Sequence, residues 1–292
     1  MNVPNQYPPI AVLGESMVET IIHVDEIPTA GDTVVSQPDS GDLGGAAINV
    51  AWHVSHGGHA VRLIAIVGAA EQGELKNDFS SLPVDLSTTI QAGKHSDRLL
   101  TFLSPSQHLS AYILAEWQGD FIEHAAGKFG GCRVAILNGG RHADVRAAYA
   151  SPTLHETKAL TIFNPSYAIF EYEPASLRET LKLMDVVILN RDEYTYAADA
   201  CQGETLLAEA PRLALIRTEG EGGATLFSGQ MHLHVSPLRV REGHFLGAGD
   251  AFVSGVAVSL NEGADIRAGL DLGMKFAASV VSTGSIRAIP SR

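Results

Sequence analysis

Val186-Val187-Ile188-Leu189-Asn190-Arg191-Asp192-Glu193 sets two elements of opposite kind end to end. The branched apolar run has no polar alternation, which is the pattern of a strand covered on both faces. The next four residues read as a helix start, with Asn190 at the N-cap and Glu193 three residues on, each able to satisfy the other's orphan backbone donor as a capping box. A buried strand that passes straight into a capped helix is half of a βαβ unit. Outward from this stretch, residues 10–13, 61–67, 134–137, 160–163 and 213–216 repeat the continuous apolar run. Helical stretches at 46–55, 174–183 and 265–281 accompany them. The rhythm predicts an α/β fold with a doubly wound, mostly parallel sheet flanked by helices.

Two regions break the rhythm. Residues 17–24 with 33–35, and 99–103 with 112–114 across the Ser104-Pro105-Ser106 turn, read as hairpin or edge strands with no helix between them. They predict a small separate sheet, drawn from about residues 15–40 and 97–116. Its expected place is a lid over the crevice at the carboxyl ends of the main strands, with residues 1–292 as a single domain.

The 292 residues are 45% hydrophobic and 18% charged, an ordinary globular composition. Lys+Arg 20 against Asp+Glu 33 leaves a net charge of −13 and no basic field, so neither nucleic acid nor a membrane surface is expected as a partner. A small phosphorylated ligand stays open, because local amides and a metal ion rather than net charge would hold it. Cys132 and Cys201 are too few for a disulfide framework and lie in no CxxC spacing, so they read as free thiols. The opening MNVPNQYPP has neither a basic nor an apolar leader segment, and the expected location is cytoplasmic.

The sharpest motif is Gly247-Ala248-Gly249-Asp250, which runs into an apolar helix. Residues with little or no side chain let backbone N–H groups approach an anion, with the helix dipole behind them. Asp250, in the first turn, could accept a proton from an attacking hydroxyl, or could simply complement the dipole. Gly44-Gly45 opens another helix with Asn49 one turn in, where its donor and acceptor would suit a sugar hydroxyl pair. Thr218 to Ala224, rich in glycine, reads as a hairpin turn or as a nucleotide contact. Among the histidines, His53, His56 and His59, like His232 and His234, lack a carboxylate or Cys at a ligand offset and read as solvated faces rather than a metal site. No P-loop and no Gly-x-Ser-x-Gly elbow occurs.

Taken in order, Gly14, Gly44-Gly45 with Asn49, Asn190 with Glu193, Thr218 with Gly220 and Gly223, and Gly247 to Asp250 resemble the ribokinase-like (PfkB-type) carbohydrate kinases over nearly the whole chain. The resemblance implies a ribokinase-like fold and transfer of the γ-phosphoryl of ATP to an alcohol of a sugar, sugar derivative or nucleoside. Asp250 would be the base, with the amides of Gly247, Ala248 and Gly249 holding the transition-state charge. Glu193 would organise Mg²⁺ through water together with Asn190, while Thr218, Gly220, Gly223 and the last helix around Ser279 would frame the nucleotide. The acceptor would meet Glu19, Gly45, Asn49 and Asn138, with Leu100 and Tyr112 from the lid, and a homodimer could form through the lid strands.

Departures from the family pattern are specific. His244-Phe245-Leu246 stand where Asp-Thr-x is usual, which removes a carboxylate expected to serve a monovalent cation or the Mg²⁺ shell. Glu19 stands where an Asp is usual, and Val67-Gly68-Ala69-Ala70 lacks the usual acidic residue. A non-catalytic sugar or nucleotide sensor is therefore the alternative to an active kinase, whereas a nicotinamide oxidoreductase is disfavoured by the missing early Gly-x-Gly-x-x-Gly. No Lys/Arg cluster marks a phosphorylated acceptor. Unphosphorylated ones are favoured, with Arg98 and Arg141 as the available cations.

Overall fold

The computed structural model describes residues 6–35, 41–91, 93–105, 107–117, 119–156, 158–238 and 246–290. The chain begins with β1 (Ile10–Glu15), β2 (Met17–His23), β3 (Asp42–Gly44), α1 (Ala46–His56), β4 (Val61–Val67), α2 (Gln72–Asp78), β5 (Val84–Asp85) and β6 (Ile90–Gln91). It continues through β7 (Asp97–Leu103), β8 (His108–Ile113), α3 (Phe121–Ala125), β9 (Val134–Asn138), α4 (Ala143–Tyr149), α5 (Pro152–His155) and β10 (Leu160–Asn164). The second half holds α6 (Pro174–Leu183), β11 (Val186–Asn190), α7 (Arg191–Ala200), α8 (Glu204–Glu209), β12 (Ala214–Thr218), β13 (Ala224–Ser228), β14 (Met231–Val235), α9 (Ala248–Asn261) and α10 (Ile266–Thr283).

The large sheet runs β14-β13-β12-β11-β10-β9-β1-β4-β5, with β6 also on β4. Its strands from β12 to β4 pair in parallel, and β13 and β14 close one side antiparallel. The unbroken apolar runs follow from this position between two layers. Ile10 and Val12 point into one core cluster and Ala11 and Leu13 into the other, and Val134 and Ile136 divide from Ala135 and Leu137 in the same way. Each such side chain, fully out of water, is worth roughly 1.5–3 kcal/mol for the larger aliphatics, so both faces of the sheet must be covered.

The small sheet has the order β3-β2-β7-β8. β2 lies parallel to β7, while β3 and β8 flank them antiparallel. Residues 33–35, expected as a lid strand, form none: β3 occupies that edge of β2, and Val35 stands 94% exposed. The rest of that expected segment, residues 36–40, and Ser106 of the expected turn lie outside the described residues.

α9 is buried on nearly every side from Ala251 to Asn261, packed among α1, α10 and the sheet. Glycines permit this depth. A Cβ on Gly255 would stand 2.7 Å from the Gly273 Cα and from the Leu272 carbonyl, so α9 and α10 cross backbone against backbone.

Candidate active site

α9 begins at Gly247, whose φ of 78° is left-handed, and no side chain caps it. A Cβ there would also strike Ile286 at 2.8 Å, so conformation and space both demand glycine. Ile286 belongs to a segment pinned beneath the helix start: His53 Nε2 lies 2.9 Å from its carbonyl, and Trp52 Nε1 donates to that of Arg287. Arg287 in turn bonds Asp78 and the Leu43 carbonyl. Among the described residues nothing accepts a hydrogen bond from the amides of Gly247, Ala248 or Gly249. Open amides at a helix start are an arrangement able to receive an anion.

Asp250 follows in the first turn, and its Oδ2 accepts a 3.0 Å bond from Asn49 Nδ2 on α1. The N-terminal ends of two helices therefore meet at one carboxylate. Burial pushes the Asp250 pKa up to about 7; Asn49 opposes this, the negative Glu19 adds to it and Arg141 counters. Glu19, on β2, packs against the backbone of Gly44 and takes a 2.7 Å bond from the Gly45 amide on Oε1. Burial again raises its pKa, with Arg287 and Arg141 acting the other way. Among the described residues no donor is bonded to Oε2. The glycine pair is what brings α1 close enough: Gly45 holds φ at 93°.

Asn138, at the end of β9, is 1% exposed; its Oδ1 accepts from Asn164, and its buried Nδ2 has no partner among the described residues. Asn190 and Glu193 form the capping box in full: Asn190 Oδ1 accepts from the amides of Asp192 and Glu193, and Glu193 Oε2 accepts from the Asn190 amide at 2.9 Å. Glu193 Oε1 takes the Asn190 side chain at 2.6 Å. Burial raises the Glu193 pKa to about 7, and Asp192 and Asp250 repel it further. The loop from Thr218 to Gly223 is a hairpin, with Thr218 paired to Ala224 and Gly223 at φ 88°. Ser279, on α10, donates to the Lys275 carbonyl. His244 and Phe245 lie outside the described residues.

Two expectations need correction. His53 and His59 do not sit on solvated faces: they are 0% and 1% exposed, His53 against the Ile286 carbonyl and His59 against Glu262 and Asn261. Both rings face chain segments more than two hundred residues away in sequence, which local spacing does not reveal. His232 and His234 do stand exposed on β14. The second correction concerns Arg98 and Leu100, which lie opposite Ile113 and Ala111 on the small sheet, out of phase with the Leu99–Tyr112 pair and on the other face.

Sequence reasoning missed the support beneath the site. Glu15, 4% exposed, accepts 3.0 Å bonds from the amides of Gly140 and His142. A Cβ on Gly139 would stand 2.5 Å from that carboxylate, so the glycine pair lets the loop wrap it. His142 Nε2 sits 3.0 Å from Asp97, whose Oδ1 also takes the Ala115 amide. Burial works against charge on His142, yet Asp97 and Glu15 leave its pKa raised. The one available signal was a charged residue, Glu15, ending an otherwise apolar strand.

A large doubly wound sheet, a small sheet above its carboxyl ends, and an open helix start with a first-turn carboxylate define the ribokinase-like class of α/β protein. The nucleoside kinase of Methanocaldococcus jannaschii superposes with a TM-score of 0.82 at 16% identity, over 97% of this chain and 94% of that one. The nucleoside kinase of Burkholderia thailandensis in complex with inosine gives 0.79 at 20%, over 95% of each chain, and the ribokinase of Thermotoga maritima gives 0.78 at 17%, over 98% and 96%. The pfkB family carbohydrate kinase profile matches residues 8–292, and the chain belongs to that family. Among curated proteins, the bifunctional protein HldE of Azotobacter vinelandii is 26% identical over 96% of this chain, and a fructokinase of Escherichia coli is 31% identical over 40% of it. The chain spans 63% and 41% of the lengths of those two relatives. No helix among the described residues is long and apolar enough to cross a membrane.

Proposed function

We propose that the protein is an ATP-dependent phosphotransferase whose acceptor is a hydroxyl of a sugar, sugar derivative or nucleoside. The observation that carries this reading is the juxtaposition of the Asp250 carboxylate with the open amides of Gly247, Ala248 and Gly249, facing Glu19 of the small sheet. As the acceptor oxygen bonds to the γ-phosphorus, the bond from that phosphorus to the bridging oxygen of ADP breaks. The hydroxyl proton passes to Asp250. A base whose pKa is about 7 is matched to neutral pH, ionised often enough to act and basic enough to take the proton. The amides hold the charge spread over the equatorial oxygens in the transition state.

Among the described residues no group of three His, Cys, Asp or Glu side chains could cage a metal ion. Mg²⁺ needs no such cage, since it keeps several waters and rests on substrate phosphates and one or two carboxylates. Glu193, buried near Asp250 with both oxygens engaged by Asn190, suits contact through water. Bound there, the ion would neutralise phosphate charge. Asn190, Thr218, Gly220, Gly223 and Ser279 are proposed to border the nucleotide, and Gly45, Asn49 and Asn138 the acceptor.

The test is ADP release from Mg-ATP with a panel of pentoses, hexoses, nucleosides and their phosphates. Wild type turns over at least one, and Asp250→Asn lowers kcat by orders of magnitude with ATP affinity retained. No turnover with any acceptor, alongside acceptor binding, would leave a sensor in its place.

A further inference from the structure

Arg141 is placed by construction rather than by chance of rotamer. The loop that carries it is tied on both sides to the buried Glu15 carboxylate, through the amides of Gly140 and His142. Its guanidinium carbon lies 3.8 Å from the centroid of the Tyr112 ring on the small sheet. Tyr112 pairs with Leu99, which pairs with Glu19, so the ring shares the face that carries Glu19. The positive charge is felt by the carboxyls of both Asp250 and Glu19.

Among the described residues this cation has no ion-pair partner. Arg62, Arg217 and Arg287 each have a carboxylate, from Asp85, Glu219 and Asp78. Arg146 donates to the carbonyls of Gly140 and Arg141. Among the described residues no carboxylate comes within ion-pair distance of Arg141, although two acidic groups share its site. Stacking on tyrosine occupies the flat face of a guanidinium and leaves its N–H edge free, in the fork geometry that grips an oxyanion with two parallel bonds. A neutral acceptor would need Glu19 and Asp250 but no cation. An acceptor that already bears an anion would be repelled by those carboxylates and by the overall charge of −13 unless one positive group received it.

We infer that Arg141 is a specificity-determining residue that receives an oxyanion, carboxylate or phosphate, borne by the acceptor substrate. The inference rests on the phosphotransferase reading and narrows its acceptor class.

The experiment measures ADP release from Mg-ATP for pentoses, hexoses and nucleosides, each paired with its phosphomonoester and each sugar with its aldonic acid. Wild type, R141Q, R141K and the outward-facing R98Q are compared. The expected result is that anionic members are the better acceptors, by phosphate or by carboxylate, and that R141Q lowers their kcat/KM about 10- to 100-fold, mainly through KM. R141K recovers part of the loss, and R98Q keeps the anionic-over-neutral ratio. Neutral members being preferred, or R141Q lowering both members of a pair equally, overturns the inference while leaving the kinase reading intact. A rise confined to the KM for ATP also overturns it, because the anion met would be the nucleotide's. Should no compound support ADP release, the kinase reading fails, and thermal shift with the same compounds still decides the inference. Stabilisation by anionic members that R141Q abolishes upholds the site, and its absence removes it.

Discussion

Replacing Asn49 with Leu keeps the number and branching of side-chain heavy atoms but removes the 3.0 Å bond to Asp250, and with it the strongest local influence favouring the ionised form of the proposed base. A hydrogen bond to a charged group is worth about 1.5–3 kcal/mol, which at 1.36 kcal/mol per unit moves a pKa by about 1–2 units. Asp250 is only partly enclosed, so water replaces some of the lost bond and the lower figure applies. The pKa should climb from about 7 to roughly 8. On the proposed mechanism the reaction needs the carboxylate, so kcat/KM rises with pH through that value and then levels. At pH 6.5 the ionised fraction falls from about a quarter to about 3%, roughly an eightfold loss on top of any pH-independent loss from the proposed acceptor contact, whereas at pH 9 only that pH-independent part remains. Glu193 titrates in the same range and repels Asp250, so the acid limb belongs to both carboxyls. Only Asp250 receives the Asn49 bond, which assigns an upward displacement to it. The assay is ADP release at limiting acceptor from pH 5.5 to 9.5. A loss equal at every pH, with the limb unmoved, would refute the reasoning and reduce Asn49 to an acceptor contact.

Three further outcomes are expected. Gly247→Ala places a side chain in a left-handed position and 2.8 Å from Ile286, so kcat should drop at least about tenfold and stability by about 1–3 kcal/mol, read by turnover and thermal melting. Gly255→Ala should lower Tm by several degrees with KM unchanged, because its methyl meets the α10 backbone at 2.7 Å; an unchanged Tm would mean the helices part freely. His53, buried neutral with a pKa near 4, takes no proton in the folded chain while the unfolded chain binds one below 6.5. It therefore contributes stability above 6.5 that is lost as pH falls toward 4, of order 3 kcal/mol in all, and His53→Gln should flatten that part of the melting profile.

The parallel strands were readable because burial on both faces writes itself into consecutive residues, as in Val134-Ala135-Ile136-Leu137. The capping box was readable because its partners lie three residues apart. Pairings across the fold were not. Nothing local joins Asp97 to His142, or turns the polar face of α1 at His53 toward the far end of the chain. The parallel β2–β7 pair was equally hidden, since alternation shows that a strand has two faces but not which neighbour it takes. Of the candidate site residues, those on helix starts were legible from small residues and caps. Glu15 works from beneath, holding a loop rather than a ligand, and left only the oddity of a carboxylate in an apolar run.

Ser16 alone separates β1 from β2, and its hydroxyl sits 3.0 Å from that of Ser96, where the chain crosses into β7; Ala115, on the way back, is tied to Asp97 beside them. These crossings and the exit from β3 into α1, where Gly45 packs against Glu15 and Met17, gather at one root, so the small sheet is bound like a page at its spine. Groups near the spine, such as Glu19 at the third position of β2, are held in fixed positions, so on the proposed function they would impose strict geometry on whatever end of an acceptor met them.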